Sequence, residues 1–67
     1  MQSQIAEITH DDLRALRARY NVPVYILAAR ARIHPVRVSR LLNGRSPLTP
    51  ELATRLQRAI EAEAATK

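Results

Sequence analysis

The chain has 67 residues, with 11 Lys or Arg against 6 Asp or Glu, no Cys and one Gly. This length favours a single domain that buries only roughly 60% of the surface of its unfolded form. Without Cys, disulfides and thiolate metal sites are excluded, and the two His, at positions 10 and 34, lack metal-ligand spacing. Apolar runs too short for a bilayer and the absence of a signal-peptide layout predict a soluble, cytoplasmic protein with no membrane partner.

The charged residues are unevenly distributed. Eight Arg and no Asp or Glu lie in positions 13–49, and all six acidic residues lie outside this segment. Arg side chains without acidic neighbours repel one another in a folded domain, and a polyanion relieves that repulsion. A proteome that uses Arg in place of Lys would also produce Arg on the surface, but an ordinary solvated helix face mixes both signs. The pattern therefore favours a nucleic-acid-binding face.

The first predicted helix covers about positions 10–19. Thr9 followed by Asp12 matches a capping box. The predicted buried stripe is Leu13, Leu16 and Tyr20, and the residues predicted to face outward are Arg14, Arg17 and Arg19. Asn21 tolerates the left-handed conformation and Pro23 prevents continuation, so the helix should end between them.

Two short helices follow. The first is predicted at about 24–31, with a buried face of Leu27, Ala28 and Ala31. The second is predicted to open at Pro35, which suits a first helical turn, and to run to about Asn43. Its predicted inward residues are Val38, Leu41 and Leu42, with Ile33 packing from the preceding turn. Gly44, the only Gly, stands where a helix end requires positive φ.

A fourth helix is predicted from Pro50 to about Glu63, capped by Thr49, with Leu48 packing against Ala53. Its predicted apolar stripe is Leu52, Leu56, Ala59 and Ile60. Residues 1–8 form a predicted N-terminal arm, 9–63 the domain, and 64–67 a frayed tail. The sequence therefore predicts an all-α fold, a compact domain of four helices.

Two short helices joined by a tight turn, the second rich in Arg and ending at Gly, have the anatomy of a helix-turn-helix reader. Ala28 in the first of them, Ile33 after the turn and the terminal Gly44 carry a more specific likeness. Over about positions 13–60 the sequence resembles the phage repressor and Cro type of helix-turn-helix DNA-binding family, including the segment Gly44–Ala53 after the second helix. The resemblance implies a lambda-repressor-like fold with its helix-turn-helix at about 24–43.

Three positions depart from the family's pattern. Arg32 stands where the family often has Gly, which requires either a left-handed Arg or a different turn geometry. Val24 replaces a common Gln that holds a phosphate; the Tyr25 hydroxyl could make that contact, or Tyr25 and Ile26 could be extra core or a subunit contact. His34 is a poor cap where Ser or Thr is usual, and it could instead touch a phosphate or a base.

In this family the third helix lies in the major groove. The resemblance places next to DNA the residues Pro35, Val36, Arg37, Ser39 and Arg40, with Asn43 and Arg45 near phosphates. Tyr25 and His34 are further candidates through the contacts given above. Arg40 or Arg37 can donate two hydrogen bonds to guanine, worth roughly 1–3 kcal/mol, and Val36 can pack on a thymine methyl. The alternatives are phosphate contacts or solvated side chains for the two Arg. The Ser39 hydroxyl could hydrogen-bond either to a phosphate or to the backbone of its own helix.

The resemblance implies a sequence-specific regulator of transcription that binds double-stranded DNA, most simply a repressor, in a bacterial cell or phage-infected host. A homodimer on a pseudo-palindromic operator is expected, because one such domain reads few bases. Candidate interfaces are the N-terminal arm with Ile5 and Ile8, the end of the fourth helix near Ile60, or Tyr25 with Ile26. The alternative is a small protein-interaction module, such as a DNA-binding antitoxin subunit or a recruiting cofactor. No residue pattern supports catalysis, and no cofactor or metal is expected.

Overall fold

The computed structural model describes residues 8–66, and within this range the chain contains helices and no strand. The helices are α1 (His10–Tyr20), α2 (Val24–Ala31), α3 (Pro35–Leu42) and α4 (Pro50–Ala65). Over these described residues the prediction of four helices in an all-helical fold is confirmed. Its radius of gyration is 11.5 Å, close to the roughly 11 Å expected for a compact chain of this length. None of these helices has the length and apolar character needed to cross a membrane.

The four helices pack in a ring. α1 and α2 each contact both α3 and α4, whereas no Cα atom of α3 lies within 8 Å of a Cα atom of α4. α3 and α4 are therefore on opposite corners of the domain. The centre is filled by apolar side chains that are fully buried: Leu13, Val22, Leu27, Val38, Leu41, Leu56 and Ile60.

Side chains cap the starts of three helices. The predicted capping box is confirmed, because Thr9 Oγ1 accepts a hydrogen bond from the Asp12 amide at 3.2 Å and the Thr9 amide donates to Asp12 Oδ2 at 3.1 Å. Thr49 Oγ1 accepts from an amide of the first turn of α4, also as predicted. His34, expected to be a poor cap, does cap α3: its Nδ1 atom accepts a hydrogen bond from the Val36 amide at 3.2 Å. An unprotonated imidazole nitrogen accepts a hydrogen bond, as the hydroxyl oxygen of the usual Ser or Thr cap does.

The first three helices end in the same way, with a left-handed residue just beyond the last turn. These residues are Asn21 (φ 57°), Arg32 (φ 59°) and Gly44 (φ 75°). In each case the left-handed amide and the next amide donate back to carbonyls of the preceding turn, the two hydrogen bonds of a Schellman motif. The left-handed geometries predicted for Asn21 and Gly44 are confirmed, and the departure at Arg32 is resolved as a left-handed Arg. After the first two turns the chain re-enters the core through Val22 and Ile33.

The end of α1 differs from its prediction. Tyr20 belongs to the helix but is 36% exposed rather than buried, and the Arg19 guanidinium lies 5.6 Å from the centre of its ring. Val22 takes the core position instead, because the left-handed turn at Asn21 directs the chain inward. Arg17 is likewise not fully outward: it is half-buried and donates from Nη1 to the Val22 carbonyl oxygen at 3.0 Å.

The remaining elements agree with prediction apart from small shifts at their ends. α2 has its predicted bounds, and the inward residues predicted for α2, α3 and α4 are all buried. Leu48 is half-buried and packs against the core. α3 stops at Leu42, with Asn43 as its cap. α4 continues through Ala65, two residues beyond the predicted end and into the segment expected to fray, because alanines propagate a helix well. Lys67 lies outside the described residues.

Candidate nucleic-acid interface

α3 has one buried face and one exposed face. The exposed residues of the helix include Val36, Arg37, Ser39 and Arg40. Val36 is the apolar member of this face and is 53% exposed. With about 1.5 Å per residue, the helix is roughly 12 Å long. Its outer face is thus a short rod bearing apolar, hydroxyl and guanidinium groups.

A shallow groove, called the α3 groove below, runs along the second half of this helix. Its lining consists of Val36, Ser39, Arg40, Asn43 and Arg45. Arg45 joins the others because Gly44 is left-handed and turns the chain back over the end of the helix. The Arg45 amide donates to the Arg40 carbonyl oxygen at 2.8 Å, and the Gly44 amide donates to the Leu41 carbonyl oxygen at 3.3 Å. The single Gly of the chain thereby fixes the backbone positions of two Arg at one end of the groove.

The Arg of the acid-free segment are not all available to a ligand. Four of the eight already have partners: Arg14 with Asp11, Arg17 with the Val22 carbonyl, Arg19 with the Tyr20 ring and Arg30 with Glu63. The side chains without a partner among residues 8–66 are those of Arg32, Arg37, Arg40 and Arg45. Three of these four lie on α3 or directly after it. The expectation that the whole segment forms one nucleic-acid face is therefore too broad, since folding brings acids from outside the segment to some of its Arg.

The Ser39 hydroxyl makes no hydrogen bond to its own helix backbone or to any other described residue. Thr54 shows the alternative, because its Oγ1 donates to the Pro50 carbonyl oxygen at 2.9 Å. The structure thus shows no back-bonding by Ser39, and its phosphate contact stays a prediction. Its hydroxyl is left as a donor and acceptor within the α3 groove.

A second depression lies where α2 meets the start of α3. It is lined by Tyr25, Arg32, His34 and Pro35 around a floor of Ala28, Ala29 and Ile33. Tyr25 is 69% exposed, so it is not an extra core residue. Because His34 Nδ1 accepts the Val36 amide hydrogen, the neutral imidazole carries its proton on Nε2. The depression thus offers a phenol hydroxyl, an imidazole N–H and a guanidinium to an acceptor.

The nine predicted site residues therefore divide into three groups. Five line the α3 groove and three line the second depression, while Arg37 is exposed on α3 outside both. Sequence reasoning missed Arg32 as a site residue. The sequence did carry a signal for this residue, because Arg32 stands at a position where the family that the chain resembles often has Gly.

The residues predicted to form a dimer interface differ in their exposure. Ile60 is fully buried, and Ile8 and Ile26 are half-buried and pack against the core. Ile60 itself therefore has no exposed surface for a partner, whereas Ile8, Ile26 and the end of α4 near Ile60 stay predictions as interface contacts. Ile5 lies outside the described residues, and Tyr25 alone remains an exposed candidate.

The site as a whole presents hydrogen-bond donors and positive charge. Its aromatic and apolar members are few, and no group of three or more His, Cys, Asp or Glu in the described part of the chain is placed to hold a metal ion. The guanidinium groups of such a surface can donate hydrogen bonds to the charged oxygens of a polyanion. Its other donors can bond polar groups that lie next to those oxygens. The chain matches no protein-family model, no curated protein and no solved structure.

Proposed function

We propose that this chain is a sequence-specific regulator of transcription that binds double-stranded DNA, a repressor acting by occupying its operator. In this proposal α2, the turn at 32–34 and α3 form a helix-turn-helix of the phage repressor and Cro type, within a lambda-repressor-like domain. The outer face of α3 carries the proposal, because unpartnered Arg40 and Arg45 lie there beside exposed Val36 and the free Ser39 hydroxyl. An α-helix fits the major groove of B-DNA, which is about 12 Å wide.

Each group has a distinct task in this complex. The Arg40 guanidinium donates two parallel hydrogen bonds to O6 and N7 of a guanine, and Val36 packs on a thymine methyl. Ser39 and Asn43 bond a base edge or a phosphate, and Arg45 lies against a phosphate at the helix end. Tyr25 and His34 donate to the backbone at the other end. The result is base reading in the middle of α3 with phosphate contacts on both sides.

The operator is expected to be a pseudo-palindrome bound by a homodimer, because a helix of eight residues reads only a few base pairs. Tyr25 has two possible roles, a phosphate contact or a subunit contact, and substitution separates them. Tyr25→Phe removes only the hydroxyl, so a loss of DNA affinity with an unchanged dimer would assign the phosphate contact. Tyr25→Ala would instead weaken dimerisation if the ring lies between subunits.

Selection of bound sequences from a random DNA pool tests the proposal. A recurring motif is the expected result, and two half-sites about 34 Å apart would establish the dimer as well. Recovery of unrelated sequences, bound with equal affinity, would refute specific recognition. Salt-dependent binding to random duplex cannot replace this test, since any basic surface shows it.

Arg40→Ala then tests the mechanism on the selected site. It should relax the preference at one base position and cost about 1–3 kcal/mol of binding free energy. Arg58→Ala is a matched control, because it removes the same charge from α4, on the corner opposite α3. A uniform loss on all sequences, equal for both variants, would reduce Arg40 to a general electrostatic contribution.

A further inference from the structure

A second basic surface lies along the line where α2 packs against α4, and no residue of α3 contributes to it. Its rim carries Arg30, Arg32, Arg55 and Arg58, and its floor consists of Ala31, Ala59 and Ala62. This surface is called the α2–α4 groove below. Two of its four Arg lie outside the acid-free segment, so the pattern of charge along the sequence gave no sign of it.

Two of the rim Arg are held by internal hydrogen bonds. Arg30 donates from Nε to Glu63 Oε1 at 2.7 Å, and the Glu63 side chain is only 15% exposed. Arg55 donates from Nη2 to the Ala31 carbonyl oxygen at 2.9 Å, at the end of α2. Arg32 and Arg58 have no side-chain partner among the described residues. The groove is lined by four Arg and no acidic residue, and Glu63 pairs with one of the four.

Arg32 adds an observation of a different kind. Its φ of 59° is a conformation that Gly adopts without strain and that an L side chain disfavours. Among residues 8–66 the side chain has no hydrogen-bond or ion-pair partner that would offset this strain. A strained residue whose side chain points to a ligand surface is characteristic of binding sites.

The chemistry of the groove favours a peptide over a nucleic acid. The floor is made of methyl groups, which can accept small apolar side chains but cannot hydrogen-bond or stack on bases. The groove is also built on α4, diagonally opposite the helix proposed to enter DNA.

A second copy of this chain with the groove on the two-fold axis is a poor occupant. The groove would then face itself, and its positive charges would oppose one another. The complementary ligand is a segment with carboxylates on both sides of a narrow apolar stripe. A short amphipathic helix rich in Glu or Asp has that arrangement.

We infer that the α2–α4 groove docks an acidic amphipathic helix of a partner protein. The ligand's carboxylates accept hydrogen bonds from Arg32 and Arg58, and its Ala or Leu side chains pack on the alanine floor. The inference goes beyond the proposed reading of DNA and does not depend on what α3 binds. The domain would then bind a partner protein at the α2–α4 groove while α3, on the opposite corner, binds its own ligand.

The test uses a fluorescein-labelled peptide of about 12 residues, roughly 18 Å long as a helix, with Glu flanking a stripe of Ala and Leu. Fluorescence anisotropy with the full chain should show saturable binding, and the same peptide with Gln in place of Glu should not bind. Equal binding of the Glu and Gln peptides, or of neither, would overturn the inference.

Three variants place the peptide on the protein. Arg58→Glu reverses an unpartnered rim charge, and Ala62→Glu adds a carboxylate to the floor, so each should weaken peptide binding by about tenfold or more. Arg40→Glu makes the same charge change on α3 and should leave peptide binding within about twofold, since exposed charges this far apart are largely screened at physiological salt. Equal weakening by Arg40→Glu would show general attraction of anions and overturn the inference. Circular dichroism confirms that each variant is folded.

Two further measurements exclude the other occupants. If Arg58→Glu lowers affinity for duplex DNA as much as Arg40→Glu does, the groove belongs to the nucleic-acid surface. If it abolishes self-association in analytical ultracentrifugation, the groove belongs to a dimer interface. Either result would overturn the peptide assignment, and neither depends on whether DNA selection yields a motif.

Discussion

Replacing Arg32 by Gly should stabilise the domain. Arg32 lies just beyond α2 with φ 59° and ψ 43°, in the left-handed region. An L residue there costs roughly 1–2 kcal/mol relative to the right-handed region, because Cβ approaches the following carbonyl oxygen. Gly has no Cβ and adopts this conformation freely.

The gain is smaller than the strain released. Gly is more flexible than Arg in the unfolded chain, which offsets roughly 0.4–1 kcal/mol. No hydrogen bond or ion pair to a described residue is lost with the Arg32 side chain, and its backbone bond to the Ala29 carbonyl oxygen remains. The net expectation is a gain of about 0.5–1 kcal/mol in the free energy of unfolding. For a domain of this size, 1 kcal/mol raises Tm by about 4–8 °C.

Urea unfolding followed by far-ultraviolet circular dichroism measures this gain. Arg32→Ala is the matched control, because it removes the same charge and side chain but keeps a Cβ at positive φ. It should change the unfolding free energy by less than about 0.5 kcal/mol. Asn21→Gly should gain less than Arg32→Gly, since Asn tolerates the left-handed region better than other L residues.

The control identifies the cause of any effect. Equal gains from Arg32→Gly and Arg32→Ala would attribute the change to charge repulsion in a chain of net charge +5. A loss on Arg32→Gly would show that the side chain stabilises the fold through a contact absent from the structure. Either outcome would refute backbone strain as the controlling term.

Three other substitutions have defined expectations. Gly44→Ala should destabilise by about 1–2 kcal/mol, because φ is 75° and a Cβ would lie 3.0 Å from the His10 ring; the same unfolding assay should show a smaller cost in a His10→Ala background. Thr49→Ala should lower the unfolding free energy by about 1 kcal/mol through the lost cap of α4, with Thr54→Ala, on the same helix, as the less costly comparison by thermal melting. Leu56→Ala, at a fully buried position, should cost about 2–5 kcal/mol and collapse amide hydrogen-exchange protection across all four helices.

Most of the fold was predictable because its signals are local. The capping box at Thr9, the spacing of apolar residues in α2 and the lone Gly44 act within one or two helical turns, and each appears as expected. The end of α1 was not predictable in this way. Tyr20 continues the helical spacing, yet Val22 is the buried residue, because the left-handed turn at Asn21 redirects the chain and ends the helical periodicity on which the prediction depended.

The charged surface was harder to predict than the core. Arg30 and Glu63 are 33 residues apart and form an ion pair only because α2 packs against α4. A stretch without acids in the sequence is therefore not a surface without acids. The α3 groove was easier to predict, since its residues lie within ten positions of one another. The helical repeat brings Val36, Ser39 and Arg40 together, and the turn at Gly44 adds Arg45.

Arg32 affects both the stability of the domain and the proposed binding of a partner. It lines both the α2–α4 groove and the depression beside Tyr25 and His34, so a single guanidinium borders two basic surfaces. Gly at this position would remove the backbone strain of the turn. Arg adds a positive charge but keeps that strain. If that charge is the reason for the strain, then Arg32→Gly should make the domain more stable and its hold on an acidic peptide weaker. Arg32→Ala should lose the same affinity without the gain in stability, so that binding follows the side chain while folding follows the backbone.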